Sequence, residues 1–174
     1  CLDPGDEVII LEPFFTFYEQ HVLQAGGVPV YCMSGAEEGF LPDPEKIESK
    51  ISKRTKAMIL NSPCNPTGAV FPFELLTQIA NIASKYDLLV ISDELYEAFA
   101  FDSPHVPFSS LQGMKERTIT IGGMSKSYAM TGWRIGYAMG SSVILKAMQV
   151  TGVPQTISVN TMVQRASEYA LDNC

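Results

Sequence analysis

Lys56-Ala57-Met58-Ile59-Leu60-Asn61 runs directly into Ser62-Pro63-Cys64-Asn65-Pro66-Thr67-Gly68, and this stretch decides the fold. The first six residues are almost continuously apolar. They lack the polar alternation of a half-exposed strand, so they read as a strand covered on both faces. The Pro/Gly-rich loop ends it. An amphipathic helix follows, with Leu75, Ile79, Ile82, Ala83 and Tyr86 at helical spacing. Leu88-Leu89-Val90-Ile91-Ser92 is a second apolar strand, and it runs into Asp93-Glu94.

The same alternation extends outward. Upstream, Glu7 to Leu11 reads as a strand after the turn Asp3-Pro4-Gly5-Asp6, and Pro13 ends it. Phe14-Phe15-Thr16-Phe17-Tyr18 leads into a helix that stops near Gly26-Gly27. Val28 to Met33 is another strand, whose Pro29 marks a strand start or a sheet edge. Asp43-Pro44 predicts an N-cap and first helical residue, with a short helix over Glu45 to Ile51. Downstream, residues 102–110 form a Pro/Ser-rich loop, Arg117 to Ile121 a fifth strand and Ile135 to Met139 a sixth. Ser141 to Val150 and Ser158 to Leu171 read as helices. The expectation is one α/β domain over residues 1–174, a mainly parallel sheet between helices in three layers.

Composition excludes several classes. With 46% apolar and 18% charged residues, the chain is well packed rather than disordered. The net charge of −7 and the lack of a basic run argue against nucleic acid and anionic membranes as partners. No apolar run approaches the roughly 20 residues of a membrane span. The four cysteines form no CxxC pair, so neither a metal site nor a disulfide framework is expected, and a reducing cytoplasm fits. His21 and His105 show no partner pattern and read as surface or loop residues.

In open α/β sheets ligands bind beyond the carboxyl ends of the strands. Asn65, Asp93, Tyr96 and Lys126 fall there. Lys126 follows the fifth strand in Gly122-Gly123-Met124-Ser125-Lys126-Ser127-Tyr128-Ala129-Met130-Thr131-Gly132-Trp133-Arg134-Ile135-Gly136. Met124, Tyr128 and Met130 around it would disfavour the ammonium by desolvation and leave an amine nucleophile. Such an amine forms a Schiff base with a carbonyl compound, pyridoxal phosphate among them. The planar guanidinium of Arg134 suits a phosphate, which it grips with parallel hydrogen bonds. Asp93, at the end of an apolar strand, needs a positive partner, and a protonated pyridine nitrogen would serve. Tyr96 and Asn65 could donate to one ring oxygen, and Phe15 could stack on a flat ring. Taken singly, each has an ordinary structural role available: cap, salt bridge, turn or core aromatic.

Taken together, the turn Asp3-Pro4-Gly5-Asp6-Glu7-Val8, the loop Asn61 to Gly68, Ser92-Asp93-Glu94-Leu95-Tyr96 and the segment Ser125 to Gly136 resemble the class I/II aminotransferases, pyridoxal-phosphate enzymes of fold type I. The bacterial aspartate and aromatic branch is the most similar. The resemblance implies roles by position. Lys126 would be the Schiff-base lysine and proton shuttle, and Asp93 the partner of the pyridinium nitrogen. Tyr96 and Asn65 would donate to the phenolic oxygen, Arg134 would bind the phosphate, and Phe15 would stack on the ring. Two positions depart from the pattern. Gly123 stands where some members carry a phosphate-site hydroxyl, leaving Ser125 as a substitute, and Phe15 stands where tryptophan is common.

The resemblance also implies that residues 1–174 are most of the cofactor-binding large domain of a homodimeric, cytoplasmic enzyme. The glycine-rich phosphate loop would lie upstream of Cys1, and the small domain downstream of Cys174. The Asn65–Pro66 peptide bond is expected cis, with Glu12–Pro13 cis in some members. The expected activity moves an amino group between an α-amino acid and a 2-oxo acid. Two rivals share these motifs: a fold-type I lyase (a C–S β-lyase or aminocyclopropane-carboxylate synthase), and the effector domain of a transcription regulator.

Overall fold

The odd and even residues of the central strands bury into two different cores, which makes the molecule three-layered. A computed structural model describes residues 2–174, with Gln155 described by its backbone alone. Six strands form one sheet in the order β2-β1-β3-β4-β5-β6. They are β1 (Glu7–Glu12), β2 (Val28–Met33), β3 (Thr55–Asn61), β4 (Leu89–Asp93), β5 (Thr118–Gly123) and β6 (Gly136–Met139). All neighbouring pairs are parallel except β5 with β6, which runs antiparallel. Ile9, Leu11, Met58, Leu60 and Val90 pack on one face against Ile47 of α2 (Pro44–Ser49) and Leu75, Leu76, Ile79 and Ala83 of α3 (Phe73–Lys85). Val8, Ile10, Ala57 and Ile59 pack on the other face against Tyr18 and Val22 of α1 (Phe17–Gln24). Strand side chains alternate between faces, so an unbroken apolar run supplies both cores at once.

Local expectations hold with shifts at the ends. Asp43 caps α2 by accepting from the Glu45 amide at 2.9 Å, and Pro44 opens the helix. The helix ends at Ser49 rather than Ile51, where Ser49 Oγ instead donates to the Lys46 carbonyl at 2.7 Å. Pro29 sits on β2, an edge strand, where a missing N–H costs no ladder bond on the open side. The sixth strand starts at Gly136, one residue later than read, because Arg134 turns through the left-handed region at φ 53°. The helix expected to stop at Val150 continues as α4 (Ser142–Thr156), through Gly152 and Pro154. Its proline falls in the last turn and forfeits one helical bond. The final helix, α5 (Thr161–Asn173), starts three residues later than read, where Asn160 accepts from the Met162 amide at 2.9 Å. The Asn65–Pro66 and Glu12–Pro13 bonds are cis, and so is Ser62–Pro63, which the sequence reading had not singled out.

The carboxyl ends of β1, β3, β4 and β5 all open at one edge of the sheet, since these strands are parallel. The segments carrying Phe15, Asn65, Tyr96 and Lys126 start there. Among the described residues no helix is long and apolar enough to cross a membrane.

Candidate active site

Asn61, the last residue of β3, is 7% exposed and ties two strand ends together. Its Nδ2 donates to the Asp93 carbonyl at 2.9 Å and to the Pro63 carbonyl at 3.2 Å. Its Oδ1 accepts from the Asn65 amide at 2.8 Å. The loop after β3 is thus fixed to the end of β4, and Asn65 and Asp93 are set side by side. The sequence reading treated Asn61 only as a strand terminus. Its position at the end of an apolar run was the available signal.

Asp93 is half-buried, and its carboxylate already has two donors. Tyr18 Oη donates to Oδ2 at 2.6 Å, and the Leu95 amide donates to Oδ1 at 3.2 Å. Burial, together with the adjacent Asp93 carboxylate, pushes the Tyr18 phenol far above its usual range, so it remains a donor. Tyr18 is a further residue that sequence reasoning missed. It was one of four aromatics in a row of five, and nothing local distinguished it from Phe14 or Phe17. Its role comes from a residue 75 positions away.

Asn65 Nδ2 reaches Tyr96 Oη at 3.5 Å. The face of the Tyr96 ring lies under Lys126, whose Nζ is 5.5 Å from the ring centroid. The apolar residues expected around the lysine sit partly below it. Met124 and Met130 are buried and pack with Tyr128, Ile135 and α5, while Lys126 itself is only half-buried. Backbone hydrogen bonds coil the lysine loop: the Ala129 amide donates to the Lys126 carbonyl at 3.0 Å, and Thr131 Oγ1 to the Ser125 carbonyl at 2.9 Å. Arg134 Nη1 donates to the Thr131 carbonyl at 3.0 Å. Phe15 meets Tyr18 edge-on at 5.7 Å between centroids and is 37% exposed. An edge contact leaves part of the ring face for another group.

Phe15, Asn65, Asp93, Tyr96, Ser125, Lys126 and Arg134 therefore line one cavity of about 320 Å³, joined by Tyr18, Leu95 and Thr131. A larger cleft of about 610 Å³ beside α4 has a mostly apolar lining with Lys146 as its one charged side chain. The larger volume therefore lies away from the titratable and hydrogen-bonding groups, which line the smaller cavity. A lysine amine, a held carboxylate, a phenol next to an amide, a guanidinium and an aromatic face fit a flat phosphorylated pyridine aldehyde group by group.

His105 lies in a loop, as read, but it has a partner that the sequence did not show: its Nε2 lies 2.9 Å from Glu94 Oε2, with its side chain 11% exposed. Glu94 Oε1 accepts from Ser92 Oγ at 2.8 Å and the Phe108 amide at 3.0 Å. This buried cluster pins residues 105–108 to the end of β4, next to Asp93. Its partners meet across an irregular loop, which leaves no periodic trace in sequence. His21, by contrast, is exposed as read.

A family model for aminotransferase class I and II matches residues 1–173. The chain belongs to the class I and II aminotransferase family. Within this family it is 47% identical over 172 residues to a probable aspartate/prephenate aminotransferase of Thermus aquaticus, covering 99% of this chain and 44% of that protein. It superposes on the aspartate aminotransferase of Thermus thermophilus with maleate at a TM-score of 0.96, with 45% identity, over 99% of this chain and 44% of that one. An aromatic aminotransferase from Pyrococcus horikoshii superposes at 0.98 with 41% identity, over 99% and 47%. The aminotransferase-like chain thus spans less than half the length of these relatives.

Proposed function

We propose that the intact protein is a pyridoxal-phosphate-dependent aminotransferase, and that residues 1–174 hold most of its cofactor-binding domain. The observation that carries this reading is the convergence of Lys126, Asp93 and Arg134 in one cavity, with the Asp93 carboxylate already oriented by Tyr18. Bound there, pyridoxal phosphate would supply an electron sink for bonds at the α-carbon of an amino acid.

The residues divide the remaining work. Lys126 Nζ would be the amine that anchors pyridoxal phosphate and, as a free amine, would take the proton from the substrate α-carbon. Asp93 would pair with the protonated ring nitrogen. Tyr96 and Asn65 would donate toward the phenolic oxygen. Arg134, with Ser125, would bind the phosphate, and Phe15 would cover the ring. The names of the relatives support an acidic amino acid as one donor and a 2-oxo acid as acceptor. They do not favour the lyase or regulator readings. We also propose a cytoplasmic homodimer. In support, Val143, Val150, Ile157 and Met162 are each at least three-quarters exposed, leaving apolar surface for the rest of the protein to cover.

The test is the intact protein with Lys126→Ala. Wild type should fix pyridoxal phosphate at Lys126 on borohydride reduction and convert aspartate with 2-oxoglutarate. The variant should do neither. Fixation at another lysine, or turnover retained in the variant, would refute the assignment.

A further inference from the structure

Lys126 carries the amine of the site, yet among the described residues no carboxylate lies within ion-pair distance of it. The obvious partner, Asp93, is engaged by Tyr18 and by the Leu95 amide. Arg134 lines the same cavity and adds a second positive charge. What the ammonium meets is the face of the Tyr96 ring, 5.5 Å from Nζ to the centroid, inside the range where a ring quadrupole attracts a cation. Tyr96 thus presents two separate features. Its hydroxyl edge faces Asn65 at 3.5 Å, and its ring face lies toward Lys126.

We propose that the Tyr96 ring is a seat for the free Lys126 ammonium, a positioning function separate from the hydroxyl. The seat keeps the uncombined amine in the cavity without spending Asp93 on it, so the carboxylate stays available for a different cation. A lysine paired with Asp93 would neutralise the one carboxylate lining the cavity. A lysine with no seat would swing into solvent on its four-carbon stem. The seat holds for protein without cofactor. Its consequence for catalysis rests on the function proposed above, with Lys126 as the amine that bonds and releases the cofactor.

The experiment is acetylation of the intact protein stripped of cofactor, with acetic anhydride at fixed pH. Mass spectrometry would read the rate at Lys126 as a ratio to the rate at Lys85. Lys85 is held in a surface ion pair with Glu48, far from the site in sequence. A ring contact at a half-exposed position favours the seated lysine about two- to fivefold over the released one. Tyr96→Leu should raise the Lys126 ratio by about that factor, and Tyr96→Phe, which keeps the ring, should leave it at the wild-type value. An equal rise in both variants would assign the effect to the hydroxyl and overturn the proposal. No rise in either would overturn it as well. If Tyr96→Leu loosens the fold, Lys85 labelling and the circular dichroism will change together, and Tyr96→Met takes its place with the same expected rise. Failure of pyridoxal phosphate to attach to wild-type Lys126 would sink the function and leave this result standing.

Discussion

Replacing Asn61 with leucine should disconnect the site from the sheet. The side chains are close in volume, so the cavity and overpacking terms are small. Three hydrogen bonds are lost: to the Asp93 carbonyl at 2.9 Å, to the Pro63 carbonyl at 3.2 Å and from the Asn65 amide at 2.8 Å. A buried polar group left without its partner costs about 1–3 kcal/mol. Asn65 is half-buried, so water replaces part of its share. Summing two full losses and one partial loss gives about 3–7 kcal/mol, and the added apolar burial of leucine offsets roughly 1 kcal/mol. The expected net destabilisation is about 2–6 kcal/mol, a large part of the 5–15 kcal/mol that typical domains possess. Urea unfolding of the intact protein, followed by circular dichroism, measures it. Pyridoxal phosphate affinity should weaken in parallel, because Asn65 and Asp93 lose their mutual register. A midpoint shift worth under 1 kcal/mol, with affinity unchanged, would refute the account of Asn61 as the tie between β3 and β4.

Three further outcomes follow from other contacts. Tyr18→Phe keeps the aromatic packing with Phe15 but removes the donor at 2.6 Å from Asp93; this should leave the carboxylate less firmly oriented and lower turnover about tenfold, the weight of one charge-assisted bond. Turnover equal to wild type would show that Tyr18 does not act through Asp93. Glu7 is 6% exposed, and hydrogen bonding from Ser52, then Arg54 and Thr55, outweighs burial and holds its carboxyl below the ordinary 4.5. Since the folded pKa is depressed, this stability is present above pH 4.5 and is lost as the pH falls through the folded value. The urea midpoint of Glu7→Gln should therefore trail wild type by about 2 kcal/mol at neutral pH, with the gap closing in acid; a gap constant with pH would contradict the shift. Gly140→Ala would place a methyl 2.8 Å from the Thr118 carbonyl oxygen, which belongs to the sheet and cannot yield, so a loss of about 1–3 kcal/mol is expected in the same assay.

Much of the architecture was legible in the chain because burial on both faces removes polar alternation. The runs at Lys56 to Asn61 and Leu88 to Ser92 carry that mark, and α3 carries the complementary helical stripe. Element ends were less legible. α4 runs on through Pro154, and α2 stops short of Ile51, because helix ends are settled by single hydrogen bonds and not by periodicity.

By itself the sequence determined which residue types stand at the strand ends: a lysine, a carboxylate, a phenol, an amide and an arginine, spread from Asn65 to Arg134. Only the tertiary structure decided how they are held. That Tyr18 rather than Phe14 or Phe17 faces Asp93 depends on the packing of α1 against β1 and β3. That Asn61 bonds both Asn65 and Asp93 depends on β3 and β4 lying in parallel register, with Asn61 opposite Asp93. His105 finds Glu94 only because the loop folds back over the end of β4. Hydrogen bonds of this kind reach about 3 Å, while Tyr18 and Asp93 lie 75 residues apart along the chain and Asn61 and Asp93 lie 32 apart, so local pattern cannot encode the pairing.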